Sequence, residues 1–188
     1  MPATDSPARW VPVPTKACAS HPRGYVCSTT TQIRFAYPQS WHALTYTTPD
    51  LLSRSMIYLS TAPLHDPCTS ATRSAATSII CDWPASSIGP NGVLAEWQLG
   101  GKPGWRLSEV PGTPTKIGGR PARFATSTSG TFYDNCRRIG ADEVVTAWVE
   151  RRAPNNNYLF VACLRGPDFR TSERQVHVLL ASTRFPHG

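Results

Sequence analysis

Charge is scarce in this sequence, and lysine scarcer still. Only 16% of residues are charged, and three lysines stand against sixteen arginines. An ordinary soluble domain carries roughly 25%. Pro, Ser, Thr and Gly fill the gap, a composition that favours strands, turns and long loops over helices. Apart from Arg137-Arg138 and Arg151-Arg152 the arginines are scattered, so no basic run marks a nucleic-acid contact. The Arg excess reads as the codon bias of a GC-rich genome. Apolar runs are also short. None approaches the roughly 18 residues of a membrane-spanning helix. Met1 to Asp5 lack the basic start and apolar stretch of a signal peptide. The chain is therefore either cytosolic or a product whose export segment has been removed.

Chemistry-bearing motifs are missing as well. There is no G-x-S-x-G elbow, no phosphate loop, no G-x-G-x-x-G, no H-E-x-x-H and no EF-hand loop. No C-x-x-C occurs, and no zinc-finger spacing of cysteine and histidine, so no metal and no cofactor are expected. The histidines at 21, 42, 65, 177 and 187 are dispersed. His65-Asp66 suggests a base and its orienter, but neighbours on an extended chain point to opposite faces.

What is present bounds the fold. The chain has 188 residues, 40% of them hydrophobic, and a net charge of +7. That suffices for one domain with its own core. Six widely spaced cysteines, Cys18, Cys27, Cys68, Cys81, Cys136 and Cys163, suit three disulfides and an oxidising compartment. Six cysteines allow fifteen pairings. Cys18 and Cys27 bracket a short His-Pro-Arg-Gly turn that can bring them together. Cys68 and Cys81 flank a stretch with a helical stripe at Ala71, Ala75, Ala76, Ile79 and Ile80. A straight helix would hold those two cysteines about 19 Å apart, while a disulfide needs Cα atoms within about 7 Å. The pairing is retained and the helix shortened to one or two turns.

Residues 1–16 are Pro-rich and read as a linker or tail, leaving 17–188 as a single disulfide-stapled α+β domain. Strands are expected at 32–37 (stopped by Pro38), 55–60, 93–99, about 122–128, 143–151 and 158–165. Pro90-Asn91-Gly92 marks a turn. A helix over 172–182 buries Val176, Leu179 and Leu180. Strands joined by turns imply a largely antiparallel sheet, flanked by two or three short helices.

Three stretches carry a resemblance: Phe35-Ala-Tyr-Pro-Gln-Ser-Trp41, Ile117-Gly-Gly-Arg-Pro-Ala-Arg123, and Ala162-Cys-Leu-Arg-Gly-Pro-Asp168 with the closing Ala181-Ser-Thr-Arg-Phe185. Together they resemble PsbP-like domains of uncharacterised actinobacterial exported or envelope proteins. The resemblance implies a PsbP-like antiparallel sheet, a binding or scaffolding role without catalytic residues, and a cysteine, Cys136, matched to Cys163. The Cys18–Cys27 pair and the insert around Cys68–Cys81 depart from that pattern.

Trp97 and Trp148 alternate within strands and are expected in the core. Trp83 and Trp105 sit in Pro/Gly-rich loops and are the candidate contact residues, with Tyr133 nearby in kind. Arg165 and Asp168 frame a Gly-Pro turn and offer either an anion or partner clamp, or a mutual ion pair or helix cap. The leading expectation is an exported or envelope binding domain, extracellular, non-catalytic, with an acidic envelope component or protein as partner. A secreted hydrolase with a site assembled from loops is the alternative, and a basic nucleic-acid-binding protein the third reading.

Overall fold

The computed structural model describes residues 10–30, 33–46, 55–67, 83–128, 134–152 and 155–185. In chain order these form β1 (Trp10–Pro12), β2 (Thr15–Ala17), β3 (Tyr25–Ser28), β4 (Ala36–Pro38), β5 (His42–Tyr46), β6 (Ser55–Ser60), β7 (Val93–Gly101), β8 (Thr113–Ile117), β9 (Arg120–Thr128), α1 (Asp134–Arg138), β10 (Glu143–Glu150), β11 (Asn156–Leu164) and α2 (Phe169–Ser182). Eight strands make one sheet in the order β1-β5-β6-β7-β11-β10-β9-β8, and β2-β3-β4 make a second. Every pairing is antiparallel. The architecture is α+β with a largely antiparallel sheet, and two α-helices lie among the described residues.

The central strands are apolar on both faces because both faces are covered. One face presents Ile57, Leu59, Val93, Ala95, Trp97, Val145, Ala147, Phe160 and Ala162 to Val176, Leu179 and Leu180 of α2 and to Ile33, Phe35 and Tyr37. At its centre Trp97 is fully buried, 5.1 Å from the Phe160 ring and edge-on to Phe185 at 5.9 Å. The opposite face packs Leu94, Val144, Leu159, Val161 and Cys163 against Ala85, Ile88, Cys136, Ile139 and Ala141.

Two disulfides hold loop-rich parts to these layers. Cys18–Cys27 closes the β2–β3 hairpin, with Cα atoms 5.3 Å apart. Cys136–Cys163 ties α1 to β11 beneath the second cluster. Both pairings match the expectation, and Cys136 sits on the short helix α1. Cys68 and Cys81, with the helix expected between them, lie outside the described residues, as does Tyr133.

The Pro90–Gly92 turn works as a tie. Asn91, at φ 58°, donates its backbone N–H to the Gly166 carbonyl at 3.1 Å, and its Oδ1 accepts from the Asp168 N–H at 2.8 Å. Asp168 caps α2, accepting from the Thr171 N–H at 3.4 Å and its hydroxyl at 2.7 Å. That cap starts the helix at Phe169, three residues before the expected Ser172.

Three expectations need correction. The linker does not reach residue 16. Trp10–Pro12 pairs with β5, Thr15–Ala17 pairs with β3, and Trp10 and Val13 are buried. Two large apolar side chains outweigh the prolines around them. Next, β8 was not foreseen. Its Thr-Pro-Thr-Lys-Ile run is exposed except at Ile117, so it has no apolar alternation to read. Last, the strand expected over 32–37 begins only at Ala36 and takes in Pro38 as its final residue. Pro38 closes β4 opposite Tyr25, where a missing N–H is tolerated at an element's end.

Candidate functional site

The second face of the large sheet carries a groove of about 530 Å³. Its floor is Thr146 and Trp148 of β10 with Ala125 and Ser127 of β9, and its wall is the segment 102–111. That wall is built by local chemistry. Lys102-Pro103-Gly104-Trp105 forms a β-turn closed by the Trp105 N–H on the Lys102 carbonyl at 3.1 Å. Proline presets the second position and Gly104 takes φ 77° at the third, the residue pair that a type II turn requires. The turn is held from the side by Asn155: its backbone carbonyl accepts from the Lys102 N–H at 3.1 Å, and its Oδ1 from the Gly104 N–H at 3.2 Å. Further on, Arg123 of β9 reaches up with Nη1 to the carbonyls of Val110 at 2.8 Å and Gly112 at 3.2 Å. The loop is thus pinned at both ends.

The result brings Trp105 beside Trp148, ring centroids 6.4 Å apart and planes 30° from parallel. Both are half-buried. Lys102, Arg106 and Glu109 line the same groove. Neither basic residue has an ion-pair partner among the described residues. Counting these three, the rim carries two positive charges against one negative, a net of +1. Trp105 was expected at a contact surface and lies in this groove. Trp148, expected in the core, is its half-buried partner: the alternation placed it on the correct face, but that face is open at this end.

The other sequence-derived candidates are not gathered here. Trp83 packs half-buried against the second cluster. Arg165 donates through Nη1 to the Ile88 carbonyl at 2.7 Å, while Asp168 is engaged by Thr171. No ion pair joins Arg165 to Asp168 among the described residues, so they do not form a common clamp. The Thr171 hydroxyl, foremost, holds the Asp168 carboxyl below its ordinary range. His65 lies in a loop, its backbone N–H on the Pro84 carbonyl at 2.9 Å.

A polar cluster within the same face was not foreseen. Glu96 of β7 is 3% exposed. Ser55 donates to its Oε2 at 3.0 Å, Gln98 donates to its Oε1, and the Tyr58 hydroxyl donates to the Ser55 oxygen at 3.0 Å. The register of β6 against β7 slips between Ser55 and Ile57. This bulge turns Ser55 to the face of Tyr58 and Glu96. Burial raises the Glu96 pKa above the ordinary glutamate range, against the pull of its donors, and raises that of Tyr58 as well. A hydroxyl within reach of a carboxylate is half of a nucleophilic dyad, yet neither described cavity is lined by Ser55 or Glu96. The second cavity, about 300 Å³, lies between β8 and α2, where His177 stacks on Phe124 at 5.1 Å.

Cys18, His21 and Cys27 converge to within 4.8 Å, closer than the spacing suggested. Both sulfurs are spent in the disulfide, which leaves the imidazole alone to ligate. Among the described residues no helix is long and apolar enough to cross a membrane. The two disulfides among the described residues suit an oxidising, extracellular setting. No family model and no curated protein sequence matches this chain.

Proposed function

We propose that the protein is an exported or cell-envelope binding module, without catalysis, that takes an acidic ligand in the Trp105–Trp148 groove. The observation that carries this reading is the groove itself: two indoles side by side, flanked by Lys102 and Arg106 with no internal ion-pair partner. Aromatic side chains supply contact area at small entropic cost, and cations at a rim give direction and on-rate. The Ser127 hydroxyl lines the groove, and no base is hydrogen-bonded to it among the described residues, which favours binding over hydrolysis. A PsbP-like scaffold is part of the proposal, since that fold mostly serves binding.

The test compares Trp105→Ala with wild type for association with isolated cell envelope. Trp105 is half-buried in a loop, so the variant should fold, as circular dichroism would verify. Association is expected to fall roughly tenfold, the equivalent of one lost aromatic contact. Unchanged association would overturn the assignment. So would hydrolysis of an ester or glycan substrate that vanished in Ser55→Ala, which would move the function to the Glu96 cluster.

A further inference from the structure

We infer that the ligand of the groove is a glycan chain bearing acidic groups, an inference that rests on the binding reading above. Three features of the groove converge on it. First, Trp105 and Trp148 line one space, their rings 6.4 Å apart and 30° from parallel. A pyranose ring has an apolar C–H face that lies flat on an indole, and its spacing along a chain is comparable to the separation of these two rings. Second, hydroxyls of Ser127 and Thr146 line the floor. That of Ser127 makes no hydrogen bond with any described residue, and neither indole N–H does. Such donors and acceptors match the equatorial rim of a sugar, which offers both at each position. Third, Lys102 and Arg106 supply charge with no ion-pair partner among the described residues, and Arg106 can grip a carboxylate or sulfate through two N–H groups.

Other acidic chains fit less well. A single-stranded nucleic acid also stacks on tryptophan, but it brings a phosphate at every unit, and Glu109 stands on the same rim. An acidic peptide would use the cations but leave the indole faces without flat partners. A sugar chain with spaced acid groups uses both and tolerates Glu109 between them.

Titration calorimetry on the whole oxidised chain tests this with four probes: a short hyaluronan oligosaccharide, which carries a carboxylate on every second sugar, a neutral chito-oligosaccharide, poly-L-glutamate and oligothymidylate. The hyaluronan oligosaccharide is expected to bind, with the neutral sugar roughly tenfold weaker for want of charge-assisted hydrogen bonds. Trp105→Ala should weaken both sugars, whereas the double variant Lys102→Ala/Arg106→Ala should weaken only the acidic one, down to the level of the neutral chain. Poly-L-glutamate or oligothymidylate binding as tightly as the hyaluronan oligosaccharide would overturn the glycan assignment and leave the acidic-ligand groove standing. Failure of every acidic probe to bind would overturn both.

Discussion

A carboxylate inside a sheet is stable only while its neighbours donate to it, and Glu96 depends on Ser55 and Gln98 for that. Burial nevertheless lifts its pKa above that of a free glutamate. The folded state therefore binds the proton more tightly than the unfolded chain. Its contribution to stability is greatest below the unfolded pKa and declines as pH rises towards the folded value. Glu96→Gln cannot ionise, so the melting temperature of the variant, relative to wild type, should climb with pH across that interval. Calorimetry over a pH series measures the difference, and a flat profile would show that the carboxyl is not desolvated. Glu96→Ala, which strands the two donors, should cost about 1–3 kcal/mol below that interval and less above it. At this scale the sequence was legible for residues with a structural role. Trp97 is buried where alternation put it, and Asp168 caps α2. Glu96 was illegible because period-two alternation assigns Leu94, Glu96 and Gln98 to a solvated face. Nothing local announces that Tyr58, with Trp10 4.9 Å away, will lie across it.

At the level of elements, β1 shows why composition misled. Three residues with a proline make a poor strand by propensity, yet β5 offers a free edge and the Trp10 side chain is 8% exposed. A chain beginning at Lys16 loses Trp10 and Val13 from the core. Removal of a buried tryptophan alone costs about 3–5 kcal/mol, so the truncated protein should melt roughly 6–20 °C lower by circular dichroism. An unchanged melting temperature would return these residues to the status of a tail. The Cys136–Cys163 bridge makes an independent prediction. Its sequence separation is 27 residues, and closing a loop of that order restricts the unfolded chain by about 3 kcal/mol. Replacing both with Ala should lower the melting temperature while the far-ultraviolet spectrum stays unchanged. Strands β6, β7, β10 and β11 were readable because they alternate or run apolar between turn residues. By contrast β8 is an edge strand whose Pro114 and Lys116 discourage further pairing. The residues that protect the edge are those that conceal the strand.

Over the whole molecule the question is whether net charge or a defined groove governs binding. A chain at +7 attracts any polyanion, so affinity for acidic ligands is not by itself evidence for the Lys102–Arg106 rim. The two faces of the sheet separate these effects. The groove lies on the face of Thr146 and Trp148, while α2 covers the other face through Val176, Leu179 and Leu180. Arg170 and Arg174 are exposed on α2. Lys102→Ala/Arg106→Ala and Arg170→Ala/Arg174→Ala each remove two positive charges, so both bring the net charge from +7 to +5. Long-range attraction falls alike in the two, and at physiological salt it is screened beyond about 8 Å. Only the first pair removes contacts with a ligand seated between Trp105 and Trp148. At physiological salt the groove variant should therefore bind an acidic ligand roughly tenfold more weakly than the helix variant, which should stay close to wild type. At low salt both should weaken together, as the general field regains reach. Equal loss in both variants at physiological salt would assign the affinity to net charge and take it away from the groove.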